Sequence, residues 1–299
     1  MINYSKQAID SKEINAIKKV LRSDYLTQGP LVKKFEKKIS NYCNSKHAIA
    51  VNSATSGLHI ACMSLGVKKN DIVWTSAISF VASANAAVYC NADIDFLDIS
   101  LEDFNIDIQS LEKKLIAAKK KNKLPKVIIV VHFAGNPCQM KQINFLKKKY
   151  KFKIIEDASH ALGATYMDKP IGGCDFSDMC VFSFHPVKSI TTAEGGVVTT
   201  NNKKLFNDLK LYREHGINRI FINKKKRPKY YEQIKLGYNY RMNELEAAIG
   251  IEQLKKLDSF ITKRVKIYNF YKSKLKNNLF KYPSISANSH SSHHLFIIV

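Results

Sequence analysis

The sequence predicts an α/β fold: a mostly parallel seven-stranded sheet with helices on both faces. Three observations carry that prediction. Short runs rich in Val and Ile alternate along the chain with stretches whose apolar residues recur at helical spacing. The runs are continuously apolar, as strands covered on both faces are. Helical stretches separate the first five runs, and parallel neighbours need such crossovers.

Taken in order, a helix opens at Asp10, with Glu13 three residues on completing a capping-box signature, and reaches about Leu21. "LVKKFEKKISNY" places Leu31, Phe35, Ile39 and Tyr42 on one helical face. Strands are expected at 48–51, 71–76, 93–99, 126–132, 153–158, 179–184 and 195–200. Helices are expected at about 56–65, 80–90, 107–121 and 140–150. The link between the last two strands is too short for a crossover helix, so one of them runs antiparallel to the rest. A helix at 203–214, a lysine-rich loop at 222–230 and helices at 243–257 and 258–278 follow. We divide the chain into an N-terminal arm with a large domain, residues 1–250, and the start of a smaller domain, residues 251–299. The final "HHLFIIV" reads as a strand of that second domain. It ends without turn or polar tail, so the small domain is expected to be incomplete.

At 299 residues and 45 % hydrophobic, the chain can bury a large core. Its formal net charge is +23, from 48 Lys+Arg against 25 Asp+Glu, which raises the question of a polyanionic partner. The excess is nearly all lysine, and arginine, the side chain suited to bidentate phosphate and base recognition, is scarce. No helix-turn-helix is apparent. The basic runs fall at helix ends and in loops, as solvated faces do. Neither nucleic acid nor membrane is therefore expected as a partner. Six cysteines without C-x-x-C or metal spacing, and an N-terminus without an apolar signal core, read as a cytoplasmic protein with reduced thiols.

Three stretches at the carboxyl edge of the sheet, where open α/β sheets hold ligands, carry unusual chemistry. "VNSATSGLH" follows a strand and opens a helix, so Ser53, Ala54, Thr55, Ser56 and Gly57 can turn N–H groups and hydroxyls on an anion; the same cluster would also serve as a plain helix cap. "KIIEDASHALGA" ends a buried strand in Glu156 and Asp157, with His160 following. An acid there either caps the next helix or keeps a heteroaromatic nitrogen protonated. Lys188 lies in "SFHPVKSITTAEGGVVTT", between two core strands, where partial desolvation would lower its pKa and free the amine to attack a carbonyl. An anion cradle, a strand-end aspartate and an amine nucleophile together suit pyridoxal phosphate.

These residues fall within motifs that span the chain: "SDYLTQGP" (23–30), "NSATSGLH" (52–59), "EDASHALGA" (156–164), "FSFHPVKSITTAEGG" (182–196) and "GYNYRMNELEAAIG" (237–250). In them the sequence resembles the DegT/DnrJ/EryC1/StrS family of pyridoxal-phosphate sugar aminotransferases. The resemblance implies the aspartate-aminotransferase-like fold, type I. It is strongest to members that aminate carbon 4 of a UDP-4-keto-6-deoxy-N-acetyl sugar in pseudaminic acid biosynthesis, with L-glutamate as donor. It implies Lys188 as the lysine joined to the cofactor, Asp157 on the pyridine nitrogen, His160 near the phenolic oxygen and Phe80 against the ring face. Ala54, Thr55 and Ser183 would bind the phosphate. Asn239 would reach the phosphate of a second subunit, giving a homodimer with shared sites. Tyr4, Asp24, Tyr25, Leu26 and Thr27 would meet the sugar nucleotide. A related branch dehydrates sugars with histidine in place of the lysine; lysine here implies amino transfer. Two alternatives stand beside this reading: another keto-sugar nucleotide as substrate, or a non-enzymatic nucleic-acid-binding regulator.

Overall fold

A computed structural model describes residues 5–218, 221–222, 225–226, 231–275 and 280–299. Seven strands form its main sheet: β1 (His47–Val51), β2 (Ile72–Ser76), β3 (Asp93–Leu97), β4 (Val127–Val131), β5 (Lys153–Asp157), β6 (Met179–Ser183) and β7 (Gly196–Thr200). Their order across the sheet is β1-β7-β6-β5-β4-β2-β3. All neighbours from β3 to β6 pair in parallel, and β7 runs antiparallel to both β6 and β1. The reversed strand is thus the second of the pair that the short link joins.

The inner strands are apolar because both of their faces are covered, whereas β3, at the sheet's edge, carries Asp93 and Asp95 and buries only Leu97. In β4, Val127 and Ile129 belong to one buried cluster and Ile128 and Val130 to the other. On one side lie α2 (Pro30–Tyr42), α5 (Ile108–Lys120) and α6 (Met140–Tyr150), with Phe35, Ile39, Leu111, Leu115, Ile143 and Leu146 in the packing. On the other lie α3 (Ala54–Ser64), α4 (Val81–Val88) and α7 (Lys203–Arg213).

The N-terminal helix α1 (Ser11–Leu21) forms its capping box between Asp10 and Glu13. Glu13 is fully buried and receives a hydrogen bond from Gln253 of α8 (Glu244–Leu254) at 2.8 Å, which binds α1 to α8. Gly29 at the cap of α2 has no side chain to offer. The Glu244 carboxylate takes its place, accepting from the N–H groups of Leu31 and Val32 at 2.8 and 3.1 Å.

Two expectations need correction. The helix after β1 starts at Ala54, two residues before the expected 56, because the Ser53 hydroxyl caps it by accepting from Ser56 N–H at 3.1 Å. The run "HHLFIIV" is not a strand. His293 has a positive φ of 48°, which breaks the extension, and the segment spends its backbone bonds on Ala134 and, reciprocally at the end, on Lys281. Helix α9 (Leu257–Lys274) buries only Leu257. The lysine-rich loop at 222–230 lies largely outside the described residues, apart from a two-residue antiparallel pairing of Phe221–Ile222 with Lys225–Lys226. No helix among the described residues is long and apolar enough to cross a membrane.

Candidate active site

Strand β1 delivers the chain to the N-terminus of α3. Ser53 satisfies Ser56 N–H, while the N–H groups of Ala54 and Thr55 make no hydrogen bond among the described residues. They point out of the positive end of the helix and remain free for an anion. The start of β7 presses closely on this turn. A Cβ on Gly196 would lie 2.6 Å from the Ala54 nitrogen and 2.7 Å from the Ser53 carbonyl carbon, so only glycine lets the two elements meet.

Between β6 and β7 the chain makes an excursion pinned at its base. Phe184 N–H donates to Gly195 O at 2.9 Å, and its carbonyl accepts from Thr192 N–H at 3.0 Å and the Thr191 hydroxyl at 2.9 Å. Lys188 sits at the turn of this excursion, its N–H bonded to His185 O at 2.9 Å. The side chain is partly buried and makes no ion pair among the described residues. Burial pushes its pKa below the ordinary lysine value, against the pull of the Asp157 carboxylate. A solvated surface lysine does not fit this setting.

At the end of β5, the period of two sends Glu156 and Asp157 to opposite faces. Glu156 meets His132 Nε2 at 2.7 Å, and His132 Nδ1 accepts from Cys138 N–H at 3.1 Å, a closed network inside the core. Asp157, also buried, accepts from the hydroxyls of Ser83 and Ser159, each at 2.6 Å, and from Ser159 N–H at 3.1 Å. No α-helix follows before α7, so Asp157 caps none. His160 follows on the same loop; burial and the nearby Lys188 ammonium push its pKa down to about 4, against the pull of Asp157.

A cavity of about 570 Å³ joins these parts. Ala54, Thr55, Phe80, Asp157, His160, Ser183 and Lys188 all line it. Phe80 is 69 % exposed at the N-cap of α4, on the cavity wall and outside the core. Asn239 lies elsewhere: it is exposed, bridges Glu214 through its backbone, and its side chain makes no hydrogen bond among the described residues. Asp24, Tyr25, Leu26 and Thr27 are exposed on the turn before α2 and do not line the cavity of their own chain. Tyr4 lies outside the described residues.

Sequence reasoning missed Ser83, Ser159 and His294. Ser83 is fully buried in the helix that follows Phe80, and a polar residue in that position implies a partner. His294 lines the cavity with Leu295, and its neighbour in "HH" concealed it within an apparent strand.

The sequence profile of the DegT/DnrJ/EryC1/StrS aminotransferase family matches residues 7–299. The chain is 45 % identical over its whole length to a UDP-4-amino-4,6-dideoxy-N-acetyl-beta-L-altrosamine transaminase of Campylobacter jejuni, covering 76 % of that protein. Its fold superimposes with a TM-score of 0.89 on Helicobacter pylori PseC, an aminotransferase involved in the biosynthesis of pseudoaminic acid, at 35 % identity, covering 99 % of this chain and 77 % of that one. A sugar aminotransferase of Streptococcus pneumoniae in its PLP form, described as putative, gives a TM-score of 0.88 at 27 % identity, over 99 % and 77 % of the two chains. The chain therefore belongs to the DegT/DnrJ/EryC1/StrS aminotransferase family.

Proposed function

We propose that this protein is a pyridoxal-phosphate aminotransferase that moves an amino group from L-glutamate to carbon 4 of a UDP-4-keto-6-deoxy-N-acetylhexosamine. The observation that carries the reading is the meeting of Lys188, Asp157 and the open end of α3 in one cavity. Family membership sets aside the nucleic-acid-binding regulator, and the 45 % identity to the Campylobacter transaminase supports this choice of sugar.

The residues present fit the cofactor. The unspent N–H groups of Ala54 and Thr55, with Ser183 beside them on the lining, suit a phosphate dianion. Asp157 faces the cavity as a buried carboxylate whose two oxygens are fixed by the hydroxyls of Ser83 and Ser159, the right group for a ring N–H. When bound, pyridoxal phosphate supplies an electron sink that stabilises negative charge at the reacting carbon. Lys188 Nζ, held back from full solvation, is the base that takes the proton from the donor's carbon and returns one to the sugar's carbon 4. The excursion that carries it is stitched at Phe184, so the amine works from a fixed base.

The site is completed by a second copy of the chain. Asn239 is exposed, as are Ile78, Phe80 and Val81 beside the cavity, an arrangement that suits a partner's surface. The turn at Asp24–Thr27 then meets the sugar nucleotide at the shared boundary. All six cysteines are buried free thiols, in keeping with the cytoplasm.

Purified protein loaded with pyridoxal phosphate and glutamate should aminate this sugar nucleotide in preference to a panel of 3-keto and other 4-keto sugar nucleotides, read by mass spectrometry. Preference for another member of the panel would reassign the substrate. Lys188→Ala should lower turnover by at least about a hundredfold and abolish the borohydride-sensitive visible absorbance. Retention of both would remove the aminotransferase reading.

A further inference from the structure

His294 comes from a segment distant in sequence from the rest of the cavity, and its ring stacks on that of His160 with centroids 4.3 Å apart and planes 31° from parallel. It is 6 % exposed, and the Nδ1 atoms of both rings are buried without a hydrogen-bond partner. The segment carrying it is fastened on three sides. Ser292 N–H and the Ser291 hydroxyl donate to Gly135 O at 3.1 and 2.9 Å, and His294 N–H donates to Ala134 O at 3.0 Å. The Ser292 hydroxyl donates to His160 O at 2.6 Å, and Arg264 of α9 holds His294 O at 2.8 Å. Gly135, at φ +88°, allows this approach: a Cβ there would fall 2.2 Å from Ser292 Oγ and 2.8 Å from His160 O.

We propose that His294 is a positioning residue for the reaction, fixing the His160 ring in the cavity wall beside Lys188. The inference rests on the reading of this cavity as the reaction site. No hydrogen bond orients His160 through Nδ1, so its orientation comes from the stack and from the clamp on its own carbonyl. The groups facing the pair are Lys188 from the β6–β7 excursion, Asp157 from β5 and Arg264 from α9; His185 and Glu194 line the same cavity. A proton on either imidazole would meet a second imidazole and an ammonium with little water to screen it. Burial first, then His160, Lys188 and Arg264, push His294 far below the ordinary histidine value. Both rings therefore stay neutral at working pH. His160 then offers a fixed neutral hydrogen-bonding edge and does not compete as a cation for Asp157.

The test is an NMR titration of the His160 imidazole in cofactor-free protein, with pH–rate profiles of the loaded enzyme beside it. The parent should titrate near 4. In His294→Ala, water enters and the stack is lost, so the midpoint should move up towards the ordinary 6.5 and the acid limb of kcat should follow it. The maximal kcat should fall by on the order of tenfold to a hundredfold, with KM for the sugar nucleotide little changed. His294→Phe keeps a ring on the stack and should restore both the midpoint and the rate; His294→Gln, without a ring, should resemble Ala and replaces it if the alanine variant does not fold. A parental midpoint and rate in the ringless variants would overturn the proposal, as would a phenylalanine variant as impaired as alanine. Loss of the aminotransferase reading through Lys188→Ala would leave the titration result standing, so the two can fail separately.

Discussion

Asp157 and Glu156 are neighbours with opposite duties, and the period of a strand divides them. Glu156 closes a core network with His132 and Ser177, whereas Asp157 turns to the cavity and is fixed by Ser83 and Ser159. Asp157→Asn keeps the shape but replaces one acceptor oxygen with an amide that meets serine hydroxyls and cannot hold a ring nitrogen protonated. We expect the variant to retain cofactor, seen by equilibrium dialysis, while kcat falls by at least about a hundredfold. Near-parental kcat would return Asp157 to a structural role. At this scale the sequence was informative where chemically costly residues stood at or just beyond an apolar run: Asp157 ends one, His160 and Lys188 follow on the loops, and all three line one cavity. Ser83 and His294 were not, since a serine in a helix and a histidine beside another acquire meaning only from what the fold sets against them.

The elements were legible because the two covered faces of the sheet impose one rule on its inner strands, while β3 at the edge, with Asp93 and Asp95, was read from its alternation with the helices. The ends of elements were less so. Residues 53–56 could be read as loop or helix until the Ser53 hydroxyl settled on Ser56 N–H, and "HHLFIIV" had a strand's composition, but His293 turns its backbone out of the extended region. The contact between β7 and α3 is where element packing governs the site. Gly196→Ala would set a methyl against the backbone of Ser53 and Ala54, forcing α3 away from β7. Overpacking of this kind costs about 1–3 kcal/mol. The expected result is a lower thermal midpoint together with a raised Kd for pyridoxal phosphate, since the same N–H groups would be displaced. An unchanged Kd would show that the helix end does not hold the phosphate.

For the whole molecule, the charge of +23 comes almost entirely from lysines, and the candidate site residues of the large sheet meet in one cavity at its carboxyl edge. Asn239 lies outside the cavity of its own chain, so a shared site predicts complementation. Mixed Lys188→Ala and Asn239→Ala subunits should recover activity above either parent, because some heterodimer sites carry both residues intact. A fully active monomer by sedimentation, with no gain on mixing, would end the dimer proposal. The antiparallel β7 has a further consequence, for the order in which the molecule can be made. Strands β3 to β6 each find a neighbour among strands already synthesised, but β1 must wait for β7, with His47 paired to Thr200. Such distant pairing is slow to form and leaves β1 exposed as the chain emerges. The step that closes β7 between β1 and β6 also brings the turn of α3 against the excursion that bears Lys188. On the proposed reading of the cavity, the anion cradle and the lysine are therefore brought together by this closure of the sheet.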